Sequence, residues 1–338
     1  MHHSLLSFSL LSAGLLAQSV VVPNANATTL GTGQLNSIIR NLANPRTYQY
    51  GINASELAAV PLGSVITGVS LRFSQLASNP AAWPPADITW PSYDISIGEA
   101  APTASWGADP AANFLTPPQQ VRTGPMTLDA GVFANLLQPG TPNPFAEFFF
   151  NFQTPYLYLG GDLAMLFSHP GSNDPALAQY PETVASNAAI HGVGRSQSIY
   201  PAGTASAATT FYVMRVHYGY GVGCPGTGGQ TPVLVQNANT TGGLGGNIVL
   251  QVANAPAASL VIFALGFSQL NVPLGGGCDL LVSPDVLLVQ LANTNGRAVQ
   301  TINVPPAAVG NFFAQGGVLD AGAPGGLTVS NAVSPSAN

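Results

Sequence analysis

The sequence predicts an all-β protein built as two successive β-sandwiches, and three observations carry that expectation. Short apolar runs are bounded throughout by Pro, Gly, Asn and Ser, with 38 Gly and 29 Pro in 338 residues, a density of breakers that leaves no room for a helical bundle. A glycine-rich stretch, Tyr218 to Gly229, divides a chain already too long for one ordinary core. Charged residues make up only 6% against roughly 25% in a typical soluble domain, so the surface is expected to rely on Asn, Gln, Ser, Thr and Gly. The expected order is a signal peptide over 1–17, a jelly-roll-like sandwich over 18–218, a Gly-rich hinge over 219–230, an Ig-like sandwich over 231–333 and a polar tail over 334–338.

The N-terminus reads as an export signal. Leu5, Leu6, Phe8, Leu10, Leu11, Leu15 and Leu16 form an apolar stretch of about 12 residues, too short to span a bilayer as a helix. His2 and His3 stand where Lys or Arg would be expected, and cleavage after Ala17 is favoured over the competing Ala25-Asn26-Ala27 site.

In the first unit the clearest strand is Val65 to Phe73. Val65, Thr67, Val69, Leu71 and Phe73 fall on one face, while Arg72 is expected at the rim. Tyr93–Ile97, Ala146–Phe152 and Leu163–Phe167 read as further strands, with Phe148-Phe149-Phe150 marking a central one. Phe211 to Tyr218 closes the unit, Tyr212, Met214, Val216 and Tyr218 facing the core and Arg215 and His217 facing outward. Trp83, Trp90 and Trp106 sit in or near a proline-rich segment. Rings held on stiff loops can stack on sugar faces, whereas the plainer reading is that they cap the open ends of the sandwich.

Six glycines and one proline between Tyr218 and Gly229 predict a hinge with little that can pack. Beyond it, Val233–Val235, Ile248–Val252, Leu260–Phe267, Leu280–Val282, Val286–Gln290, Val299–Ile302 and Leu327–Val329 make seven candidate strands. Leu260 to Leu265 is apolar on both sides and is expected to be covered on both. Export gives the two cysteines a partner in each other. Pairing of Cys224 with Cys278 closes a loop that the chain-entropy relation values at roughly 4 kcal/mol.

The balance of charge excludes some partners. There is no lysine, and the seven arginines are scattered singly in a chain of net charge −6, which gives no clustered basic face for nucleic acid. No G-x-S-x-G elbow, H-E-x-x-H or phosphate loop is present. A metal site would draw on His169, His191 or His217 with Asp162 and Asp174; a calcium site on Asp87, Asp94, Asn173 and Asp174. Neither has a recognisable ligand spacing. Glu56, Glu99, Glu147 and Glu182 are too dispersed to single out a glycosidase pair.

Val20-Val21-Val22-Pro23, Arg46-Thr47-Tyr48-Gln49-Tyr50, Ile66-Thr67-Gly68-Val69-Ser70-Leu71-Arg72-Phe73 and Tyr93-Asp94-Ile95-Ser96-Ile97-Gly98 resemble the N-terminal part of a group of exported, planctomycete-type bacterial surface proteins. The second unit resembles the C-terminal module of the same group. That likeness rests on Tyr218-Gly219 with Gly223-Cys224-Pro225-Gly226, on Gly277-Cys278, and on Gln315-Gly316-Gly317-Val318-Leu319-Asp320-Ala321-Gly322-Ala323-Pro324-Gly325-Gly326-Leu327. The resemblance implies export, a β-sandwich fold and a generic role in sorting, anchoring or display; it brings no catalytic residues.

The expectation from sequence is thus an exported structural or adhesive protein without catalytic activity, secreted or held at the cell surface. Its partners would be surface polysaccharide or other envelope proteins, with no cofactor, no metal, no nucleic acid and no membrane span after signal removal. One alternative is a carbohydrate-binding module using Trp83, Trp90 and Trp106. Another is a metal-dependent hydrolase of unrecognised type.

Overall fold

Strands make up 52% of a computed structural model of the chain, and among the described residues no helix reaches seven residues, so the protein is all-β. The structure describes residues 18–35, 37–39, 45–77, 82–107, 109–134, 140–146, 150–174, 181–196, 206–208, 210–240, 246–305 and 310–337. The signal segment 1–17, Phe148, Phe149 and Glu147 lie outside the described residues.

The first unit packs a four-stranded sheet against a six-stranded one. In the smaller sheet the order is Ser19–Val22, Met214–Gly219, Val65–Leu71 and Phe150–Leu157; in the larger it is Ser206–Ala208, Ile190–Ser196, Arg46–Ile52, Leu163–His169, Asp94–Glu99 and Gln119–Arg122. All these pairings are antiparallel. Period-two alternation sends Tyr50, Ile95, Ile97, Met165 and Phe167 from one sheet and Val69, Leu71, Phe150, Met214 and Val216 from the other into a single core, but a register shift at Thr67 brings Ile66 to that side in place of the expected Val65 and Thr67.

The outward face of the smaller sheet departs from the expectation. Ser70 and His217 are fully buried, because the strand Val233–Thr240 of the second unit lies across Val65–Leu71, Phe150–Leu157 and Met214–Gly219. Arg72 is likewise buried rather than at the rim, and its guanidinium pairs with the buried Glu182. A charge at such a depth requires a partner, and Glu182 comes from the neighbouring strand Glu182–Ala185.

The second unit sets three strands, Val233–Thr240, Gly246–Ala253 and Ala298–Val304, against four, in the order Val286–Leu291, Leu260–Gly266, Phe313–Leu319 and Leu327–Val333. Its own core holds Leu234, Ile248, Leu250, Val252, Val261, Phe263 and Val318. One side of this sandwich is sealed by a side chain. Asn331 accepts from Leu234 N at 2.9 Å and donates to Leu234 O at 3.0 Å, as a neighbouring strand would. Leu280–Val282 belongs not to the sandwich but to an added hairpin, Gln269–Gly275 with Cys278–Val282. Phe313–Leu319 is a central strand that the glycine pair Gly316-Gly317 hides in the sequence. At Gly316 a Cβ would run into Val252, so only glycine lets the two sheets approach there.

The glycine-rich segment is not a loose hinge. Tyr220 exchanges backbone hydrogen bonds with Ala332 at 3.0 Å, and Cys224 N donates to Val329 O at 3.0 Å. A Cβ on Gly219 or Gly223 would collide with the backbone of Ala332 or Val329. The glycines therefore serve close backbone approach, and the segment is strapped along the last strand of the second unit. Cys224 and Cys278 form a disulfide with Cα atoms 5.0 Å apart, tying this strap to the added hairpin. The tail is held as well: Ser334 N donates to Gln18 Oε1 at 2.8 Å, and Ser336–Ala337 pairs with Gly310–Asn311.

Candidate functional site: a bare apolar sheet face

The most distinctive surface lies on the four-stranded sheet of the second unit. Register fixes what shares its outer side. Leu260 sits opposite Leu291, Ile262 opposite Val289 and Ala264 opposite Leu287, while Ile262 also faces Gly317 on the next strand. Directly opposed residues point the same way. The partners on the other side, Val261 and Phe263, are fully buried in the core. The outer side is not covered: Leu287, Val289 and Leu291 are 56%, 53% and 67% exposed, and Leu260 and Ile262 are half-buried. The expectation that Leu260 to Leu265 is covered on both sides holds at one end only: Ala264 and the neighbouring Gln315 are buried under the added hairpin, Gln315 accepting from Leu281 N at 2.9 Å, whereas the outer side at Leu260 and Ile262 is left open.

Val286–Leu291 is also an edge strand, so its outward N–H and C=O groups are not engaged by another strand of its sheet. It carries no charge and no proline, the two common devices that keep an edge from pairing with another chain. Beside it, Leu265, Phe267, Val286, Ile302 and Phe312 line an apolar groove of about 180 Å³, with Phe267 77% exposed. Among soluble proteins a contiguous apolar surface of this kind marks an interaction site.

The tryptophans are placed differently from this face. Trp83 and Trp90 are 5% and 1% exposed, so their ring faces are not offered to solvent. Trp83 sits opposite Phe133 in a short strand pair and packs on Phe73 and Phe133. Trp90 stands edge-on to Tyr93 and His169. The proline-rich segment thus tucks large rings inward, where they bury most apolar area. Trp106 is half-buried on the far side of the six-stranded sheet, its Nε1 donating to Ala101 O at 2.8 Å. The three do not form a common platform.

The remaining polar candidates are built into the fold. His169 is buried, stacks on Tyr93 with centroids 5.1 Å apart, and accepts from Gly171 N at 3.0 Å. Asp162 caps Ala54 N at 2.8 Å, Asp87 accepts from Ala130 N at 2.9 Å, and Asp94 accepts from Thr123 Oγ1 at 2.6 Å. Asn173 receives Thr89 N at 2.8 Å. His217 lies 2.8 Å from Ser70 Oγ, and burial first, then the Arg215 charge, pushes its pKa well below the usual histidine range. The side chain of His191 lies outside the described residues. Among the described residues no group of three or more His, Cys, Asp or Glu side chains is arranged to hold a metal ion.

Sequence reasoning found Val286–Gln290 as a strand but not as a bare edge. The signal was present in Val-Leu-Leu-Val-Gln-Leu, apolar at both parities, but whether such a strand is central or marginal depends on pairings distant in the chain. Compared with known proteins, the chain matches no family model and no curated protein.

Proposed function

We propose that the protein is an exported, non-catalytic structural or adhesive component of the cell surface that assembles through the uncovered face of its second sandwich. The single observation carrying this reading is the row Leu287, Val289 and Leu291, more than half exposed on an uncharged edge strand. The occupant is a second copy of the chain. A partner chosen by charge would find nothing to pair with along Val286–Leu291, whereas an identical strand brings the same uncharged aliphatic side chains and complementary backbone groups in antiparallel register. A short N-terminal apolar segment and the resemblance to exported surface proteins support the compartment. The disulfide is in keeping with it.

The test is the mass of the purified mature chain in solution, by light scattering across a concentration series. The wild type is expected to be dimeric. Val289→Lys and Leu287→Glu, both at exposed positions, are expected to be monomeric with unchanged thermal midpoints. A wild type that stays monomeric at every concentration would overturn self-assembly, and recovery of the native protein in the cytosol with free thiols would overturn export.

A further inference from the structure

Arg122 ends the strand Gln119–Arg122 at the margin of the six-stranded sheet, where the first sandwich meets the second. Its side chain is 6% exposed, yet no carboxylate pairs with it among the described residues. Nη2 donates to Pro125 O at 2.7 Å and Nη1 to Asn151 O at 3.3 Å, while the buried Nε has no hydrogen-bond partner among the described residues. A second guanidinium, Arg297, comes from the other sandwich and is matched by Asp129. Asp94 acts on Arg122 only through space, one oxygen being taken by Thr123 Oγ1. Two guanidinium charges thus share one place with a single directly bonded carboxylate. Burial first, then the Arg297 charge, lowers the Arg122 pKa to about 10, which still leaves it cationic at neutral pH. Nε is sealed from solvent, so the pull on an arriving anion comes from the charge itself, a largely buried cation with no carboxylate bonded to it.

Beside the two arginines lies an open cleft of about 250 Å³. Thr127 and Gln153 line it from the first unit, Gln230 and Thr294 from the strap and the second. These side chains both donate and accept, as sugar hydroxyls do. Among the described residues no aromatic ring lines the cleft, so recognition there rests on charge and hydrogen bonds rather than on stacking. The wall is held firmly. Asn254 adopts a left-handed backbone at φ 64°, donates to Phe152 O at 2.7 Å and Thr231 O at 2.9 Å, and accepts from Asn151. Asparagine tolerates that conformation, and it is these three hydrogen bonds that hold the side chain in place.

We infer that the cleft between the sandwiches binds an acidic sugar, the carboxylate of a uronate set against Arg122 and Arg297 and its hydroxyls against the amide and hydroxyl side chains. A peptide or lipid would leave its apolar part without a wall to cover it. This inference is independent of self-assembly through the bare sheet face, which lies elsewhere on the second sandwich.

The experiment titrates the full mature chain with sodium D-glucuronate, D-glucose and sodium acetate in parallel, following binding by NMR shifts and calorimetry. Glucuronate is expected to bind at least tenfold more tightly than either of the others. Arg122→Gln is expected to lose at least tenfold. Because a buried arginine can be needed for folding, Gln230→Glu serves as the second variant: it places a like charge at an exposed position on the rim, keeps the thermal midpoint, and is expected to lose tenfold as well. Equal binding of glucose and glucuronate, acetate as good as glucuronate, or full binding by the folded Gln230→Glu chain would each overturn the assignment.

Discussion

Arg297 Nη1 lies 2.6 Å from Asp129 Oδ2, and this pair joins the two sandwiches across 168 residues of chain. The same guanidinium donates to Thr127 O at 2.8 Å, and Asn295 Nδ2 donates to the same carboxylate. With Arg297 only 6% exposed, removing its partner strands a largely buried charge, which typically costs about 3 kcal/mol. Asp129→Ala is therefore expected to lower stability by that order and to uncouple the units. Calorimetry would show one thermal transition dividing into two. A single transition at the wild-type temperature would mean that the pair contributes nothing to the junction.

The disulfide makes a second prediction. Cys224 and Cys278 are 54 residues apart, and closing a loop of that size restricts the unfolded chain by about 4 kcal/mol. Replacing both with Ser in the Asp129→Ala background, where the two units unfold apart, is expected to lower the stability of the second sandwich by that order in denaturant unfolding. The first sandwich, whose core is separate, is expected to keep its midpoint. Equal loss in both units would show that the bridge stabilises the junction rather than the hairpin and strap it joins.

How much of this was legible in the sequence depends on the range of the interaction. Alternation over Val65–Leu71 and Leu260–Gly266 is local, and both segments are strands. What covers a strand is not local. Arg72 reads as a rim residue until Glu182 is brought beside it, and Leu260 to Leu265 reads as doubly covered until its outer side is found open at Leu260 and Ile262. Glycine misleads in both directions: between Tyr218 and Gly229 it suggests freedom where it permits close packing, and in Phe313–Leu319 it conceals a central strand. Trp83 and Trp90 illustrate the same limit, since a proline-rich neighbourhood says nothing about which way a ring points. The cleft at Arg122 could not be read at all, because its walls come from segments separated by more than 100 residues.

Asp320 gives a pH-dependent prediction on the strap. Burial alone would raise its carboxyl, but hydrogen bonds from Thr227 Oγ1, Thr227 N at 2.6 Å and Gly322 N at 3.0 Å outweigh that and hold it below the ordinary value of 3.8. A carboxyl depressed in the folded state contributes its full stability above the unfolded value and loses it as pH falls through the folded one. Asp320→Asn is therefore expected to be less stable than wild type at pH 7 by about 1 kcal/mol. The gap should close on acidification below 3.8. A gap that stays constant down to pH 2 would assign the loss to packing instead.

His217 predicts the opposite end of the acid response. It is fully buried, next to Ser70 Oγ and under the influence of Arg215, and burial is the first cause of its lowered pKa. The unfolded chain takes up a proton near the ordinary value of 6.5 while the folded chain does not, so unfolding gains protons and stability falls as pH drops below that value. The stability is whole above 6.5 and is expected to fall by roughly 1 kcal/mol over the pH unit beneath it. Carboxylates such as Asp320 contribute to the pH response only at lower pH. In His217→Gln, whose amide can still reach Ser70, the slope between pH 6.5 and 5.5 should fall by about the one proton that His217 contributes even if absolute stability changes. Urea unfolding at half-unit steps would measure it, and an unchanged slope in the variant would show that the proton is taken up elsewhere.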